Sequence, residues 1–139
     1  MLKTYQGSCH CGAVRFEADL DLAAGTSRCN CTFCSKARFW LAIAPGPAFR
    51  LLEGREVLVD YQRTPPGQPA PFLHLYFCGR CGVRPFTEGG VLPSLGSAFH
   101  AVNVACLDGA TEDLAAAPVR FVDGLHDDWN RSPAEHRHL

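Results

Sequence analysis

Seven of the eight cysteines fall into three tight groups, Cys9-x-Cys11, Cys29-x-Cys31-x-x-Cys34 and Cys78-x-x-Cys81, while Cys106 stands alone. Thiols grouped in this way are metal-ligand material. Zinc holds thiolates at about 2.3 Å, which places neighbouring sulfurs roughly 3.8 Å apart in a tetrahedron. Two ligands close in sequence supply half of that tetrahedron at little entropic cost, because the chain itself limits their separation. Cys78-Gly79-Arg80-Cys81-Gly82 has the knuckle spacing, with Gly82 free to take the positive φ beyond it. Cys9 and Cys11, if extended, would project to one side of the chain. These four make a closed set, and Cys29, Cys31 and Cys34 offer three thiolates with no evident fourth. A closed four-ligand site is structural, whereas three protein ligands and one open position mark a catalytic site. The count therefore predicts two zinc ions with different jobs. Cys106 has two readings: a small buried hydrophobe in an apolar strand, or a fourth ligand that would close the second set and make it structural.

An open position on zinc lowers the pKa of a bound thiol or water, or polarises a carbonyl oxygen. Such chemistry also needs a proton carrier. His100, just ahead of the apolar run Ala101–Cys106, is the histidine chosen for that role. His10 should point away from a metal held by its neighbours, His74 reads as a core or edge residue, and His136 and His138 belong to a polar tail. Arg28, Lys36 and Arg38 flank the three-cysteine group, either as solvated surface or as attractors of a substrate carboxylate.

The elements that must position these groups are short. Leu2–Gln6 and Val14–Asp19 read as strands flanking the first turn, the second alternating Val14, Phe16 and Ala18 with polar residues. Asn30–Lys36 allows about one helical turn. Phe39–Ala44 is an apolar strand stopped by Pro45-Gly46-Pro47, and Phe49–Leu52 with Val57–Gln62 reads as a hairpin around Glu53-Gly54-Arg55. Phe72–Phe77 runs into the knuckle; Val83–Thr87, His100–Leu107 and Val119–Val122 are further strands. Only Thr111–Ala117 has helical composition, with Thr111 as a candidate N-cap. The expected fold class is mainly β, in short antiparallel sheets with little helix. At 139 residues one domain is expected, placed over residues 1–125 with a tail at 126–139.

Composition narrows the function. A formal charge of −1 and a pI of 6.6 leave no electrostatic footprint for nucleic acid or an anionic membrane. The uncharged run Gly89–Leu107 has spanning length but carries Pro93, Gly96, His100 and Asn103, so it reads as loop and strand. The N-terminus has no signal-peptide core, and a cytoplasmic location is expected, where thiols stay reduced and available to metals. Seven thiolates and two zinc ions would take the net charge to about −4.

Taken in order, Gly7-Ser8-Cys9-His10-Cys11-Gly12-Ala13-Val14, Cys29-Asn30-Cys31-Thr32-Phe33-Cys34 and Phe77-Cys78-Gly79-Arg80-Cys81-Gly82 resemble the glutathione-dependent formaldehyde-activating (Gfa) family, also called the Gfa / centromere protein V domain family. Its pattern runs CxCGxV, CxCxxC, FCxxCG, and all seven cysteines match. The resemblance continues more weakly through Val102–Asp108, where Cys106 stands at a position commonly glycine, and loosely into His126–Trp129. It implies a zinc β-tent fold, with Cys9, Cys11, Cys78 and Cys81 on a structural zinc and Cys29, Cys31 and Cys34 on a catalytic one. It further implies a carbon–sulfur lyase whose partners are a small thiol such as glutathione and an aldehyde, joined as S-hydroxymethylglutathione. Because a fold does not fix a function, the alternative is a non-catalytic, zinc-stabilised β-tent binding module.

Overall fold

A computed structural model describes residues 1–139 and resolves them into ten strands and two short helices. In chain order these are β1 (Lys3–Ser8), β2 (Arg15–Leu20), β3 (Thr26–Cys29), α1 (Thr32–Ala37), β4 (Trp40–Pro45), β5 (Phe49–Glu53), β6 (Leu58–Arg63), β7 (Leu73–Cys78), β8 (Phe86–Leu92), β9 (Ser97–Asn103), α2 (Thr111–Ala116) and β10 (Val119–Val122). A three-stranded sheet has the order β1-β2-β5, and a seven-stranded sheet the order β10-β3-β4-β9-β8-β7-β6. Every pairing is antiparallel except β10 with β3, which is parallel. The fold is mainly β, as expected.

The alternation in β2 decides where the core lies. Phe16, Ala18 and Leu20 are buried while Arg15, Glu17 and Asp19 face outward. On that outer side Arg50 of β5 donates to both oxygens of Asp19, at 2.9 and 3.0 Å, and holds its carboxyl down at about 2. On the inner side Phe16 stacks on Phe49 at 5.3 Å, and Phe49 meets Phe86 of the large sheet at 4.5 Å. This aromatic column joins the two sheets; burying each ring contributes about 1.5–3 kcal/mol.

Four local expectations change. β5 and β6 do not form a hairpin: β5 pairs with β2, and β6 with β7. Between them Gly54, at φ +96, lies against the Ala13 carbonyl, where a Cβ would come within 2.3 Å of the oxygen. The carbonyl of Val57 is then taken by the N–H of Gly79 in the second cysteine turn, so the chain crosses from one sheet to the other. β3 was not foreseen; its four residues are held between β10 and β4 rather than by their own pattern. Cys106 lies in a 3-10 turn, Val104–Cys106, just past β9, and the position ahead of α2 is Ala110 with no side-chain cap. The uncharged run at 89–107 spans the end of β8, a turn and β9, and no helix is long and apolar enough to cross a membrane.

Candidate metal centres

The sulfurs of Cys9, Cys11, Cys78 and Cys81 lie within 4.8 Å of one another. Cys9 and Cys11 are 3.6 Å apart and Cys11 and Cys78 3.7 Å, close to the roughly 3.8 Å that four thiolates around one zinc-sized ion require. Two turns of similar design bring them together. The Cys9 N–H donates to the Val14 carbonyl at 3.1 Å, and the Cys78 N–H to that of Val83 at 2.9 Å. Gly12 and Gly82 close the turns at φ +79 and +77, a conformation glycine adopts without the Cβ penalty. Cys9 and Cys11 therefore converge through a tight turn rather than through extended backbone. Burial opposes ionisation of Cys81, but the N–H groups of Cys11 and Val83 outweigh it and bring that thiol down to about 6. At Cys11 the Ala13 N–H favours the thiolate, yet desolvation and the neighbouring sulfurs lift it to about 11. The donor set and spacing fit a metal ion.

Cys29, Cys31 and Cys34 form a second cluster within the same 4.8 Å limit. Cys29 ends β3, Cys31 caps α1 by accepting the Cys34 N–H at 3.3 Å, and the Cys31 N–H in turn donates to the Cys29 sulfur at 3.3 Å. Contacts from the Cys29 and Cys34 thiols pull the Cys31 pKa down, Cys31 raises that of Cys29, and Cys29 with Cys31 raises that of Cys34. Three sulfurs so grouped can hold a metal ion.

Beside these sulfurs is a small hollow, partly open to solvent, lined by Arg28, Cys29, Cys34, Ser35, Arg38, Phe39 and Leu139. The guanidinium of Arg28 lies over the Trp40 ring at 4.8 Å. Burial and the Arg38 charge both pull its pKa below the usual value. Arg38 ends α1 at φ +54 and donates its N–H to the Cys34 carbonyl. Lys36 is exposed and does not border the hollow.

A loop at residues 123–126 backs this centre, and sequence reasoning missed it. Buried Asp123 accepts from Asn30 Nδ2 at 2.7 Å and from His126 Nδ1 at 2.8 Å, while Asn30 Oδ1 accepts the Leu125 N–H at 2.9 Å. Gly124 packs so closely that a Cβ there would meet the Cys29 sulfur at 2.4 Å. The one available signal was the asparagine between two ligands, a polar residue that a buried turn would have to satisfy.

Two other sequence candidates lie elsewhere. The His100 ring stacks on Phe49 at 4.3 Å, its Nδ1 is buried without a partner, its Nε2 is 4.0 Å from Glu88, and it does not border the hollow. Cys106 belongs to neither cluster. It packs in the main core with its sulfur 3.9 Å from the Arg84 carbonyl, and burial, with the nearby Cys9, Asp108 and Cys81, lifts its pKa to about 12. The reading in which it closes the three-cysteine set is overturned, because its turn carries it to the side of the first centre.

Two β-sheets, a closed cluster of four thiols and a separate cluster of three define a class of small β-proteins with one full and one incomplete thiol centre. The chain belongs to the glutathione-dependent formaldehyde-activating enzyme family, whose model matches residues 4–122. It is similar to a Rhodobacter sphaeroides protein of known crystal structure, with 32% sequence identity and a TM-score of 0.64, over 83% of this chain and 99% of that one.

Proposed function

We propose that the protein joins a small thiol such as glutathione to an aldehyde such as formaldehyde, and splits the adduct in reverse, as a carbon–sulfur lyase. The carrying observation is the pair of unequal clusters: four sulfurs in a closed set and three beside a hollow. In this reading Cys9, Cys11, Cys78 and Cys81 hold a structural zinc, and Cys29, Cys31 and Cys34 a catalytic one. Zinc at the second cluster would supply Lewis acidity and favour the thiolate form of a thiol near it. In the forward direction the thiol sulfur bonds to the carbonyl carbon, the C=O π pair moves to oxygen, and the thiol proton ends on that oxygen. The chain's own residues orient the pieces: Asp123 and Asn30 hold the loop that backs Cys29, and the Cys31 and Cys34 N–H groups set the sulfur directions. Phe39 walls the hollow on its apolar side.

The Cys31→Ser variant tests the assignment. Zinc should fall from two ions per chain to one, cooperative melting should persist, and thiol–aldehyde turnover should drop to the uncatalysed background. Full turnover by this variant would overturn the reading. Wild-type protein that holds two zinc ions and never exceeds background would instead be a binding module.

His100 serves the core in this reading and carries no proton. Its pKa is lowered by burial and by Arg55, against the raising influence of Glu88. The unfolded chain therefore binds the extra proton first, below about 6.5, and stability drains away as pH falls from there through the lower folded value. His100→Phe should keep turnover and remove this loss. Its melting temperature should gain on the wild type between pH 6.5 and the folded value, then run parallel below it. Loss of turnover with zinc retained would restore His100 to the chemistry.

A further inference from the structure

Two arginines and one chain segment at the hollow have no part in the reaction as described. The Arg28 guanidinium lies over the Trp40 ring at 4.8 Å, and Trp40 is itself held by its Nε1 donating to Thr26 Oγ1 at 2.7 Å. Arg38 is set by the left-handed end of α1. Neither pairs with a carboxylate of the protein, although both border the hollow. Like charges placed together with no protein counter-charge are arranged for an anion from outside.

What meets them is the chain itself. Arg38 Nη1 donates to the main-chain carbonyl of His138, and half-buried Leu139 closes one side of the hollow. His136 anchors this segment, its ring stacked on Phe121 at 4.1 Å and 15°. Phe121 of β10 is the register partner of Arg28 in β3, so the anchor and the cation sit on neighbouring strands. With the segment in place the enclosed space is about 10 Å³, room for about one water and far short of the roughly 300–1,000 Å³ of typical ligand sites. A larger substrate needs Leu139 to move. A neutral carbonyl is also the weaker acceptor: a carboxylate adds its own charge and can take both arms of the guanidinium fork.

We propose that Arg28 and Arg38 form the carboxylate-recognising part of the pocket, and that residues 136–139 are a strap that occupies it until an anionic substrate takes its place. The ligand's being a thiol rests on the function proposed above; the anion site and the strap do not. Strap occupancy lowers apparent affinity in proportion to the fraction closed, so loosening the anchor strengthens binding.

The test uses the full, zinc-loaded chain and S-methylglutathione, which keeps both carboxylates and cannot react. By calorimetry, Arg28→Gln/Arg38→Gln should bind it at least tenfold more weakly with zinc content and melting unchanged, and His136→Ala should bind it several-fold more tightly. In turnover, the ratio of kcat/KM for glutathione to that for uncharged 2-mercaptoethanol should fall at least tenfold in the arginine double variant. Wild-type probe affinity, or an unchanged ratio, in the double variant would overturn the anion site. Unchanged affinity in His136→Ala would overturn the strap. If the arginines bind the probe but no thiol is turned over above background, the inference stands and the lyase reading fails.

Discussion

Cys78→Ser should yield no folded protein. Cys78 is fully buried, ends β7, and supplies both the N–H and the carbonyl that close the second turn. A structural zinc contributes about 10–16 kcal/mol of apparent binding free energy at neutral pH. That matches the whole stability of a small domain, about 5–15 kcal/mol. The first centre also ties the two sheets to each other: Cys9 follows β1 of the small sheet, and Cys78 ends a strand of the large one. Losing one ligand should remove the near-ultraviolet circular dichroism and the cooperative melt, with zinc falling well below two per chain. A Cys78→Ser protein that melts cooperatively near the wild-type temperature would show that the aromatic column of Phe16, Phe49 and Phe86 suffices to hold the sheets.

Gly124→Ala should remove activity while leaving most of the fold. The added Cβ would lie 2.4 Å from the Cys29 sulfur and 2.8 Å from the Trp129 ring. The Trp129 ring is exposed and can turn aside, but the sulfur is short, buried at the end of β3, and committed to the cluster. It must shift, and misplacement by about 1 Å at a reacting centre can cost 100-fold in rate. The overpacking itself costs about 1–3 kcal/mol, which a domain with an intact first centre survives. The expected result is kcat/KM reduced at least 100-fold, with a cooperative melt and the first metal retained. Wild-type activity would show that the loop at 123–126 does not position Cys29.

What could be read from the sequence follows the distance over which each feature is encoded. The cysteine groups were legible because each pair or triplet is local and its spacing limits its geometry; joining Cys9 and Cys11 to Cys78 and Cys81 followed from counting ligands. The alternation in β2 and the β-branched and aromatic residues of β10 were legible for the same reason. The hairpin expected of β5 and β6 failed because partner choice is non-local: a turn-rich Glu53-Gly54-Arg55 is compatible with a hairpin or with a crossing, and Gly79 at the other cysteine turn decides it. The first turn shows a milder form of this, with its ligands identified and its backbone misread. Asp123 and Gly124 were invisible as parts of the second centre, since Asn30 and Asp123 are 93 residues apart and neither belongs to a motif. Cys106 was ambiguous in sequence and is not in space.

The parallel pairing of β10 with β3, from Val119 beside Thr26 to Val122 beside Cys29, sets a schedule for protein synthesis. All four sulfurs of the first centre have left the ribosome once Cys81 has emerged. The strand and the Asp123 clamp that secure Cys29 follow later, after roughly 2–8 s at about 5–20 residues per second. During that interval the nascent chain can close one metal site and leaves the other three thiols without their support. Because Cys29, Cys31 and Cys34 precede Cys78 and Cys81 in the chain, five thiols are exposed before the first centre can close, and the division into four and three is complete only when β10 has paired with β3.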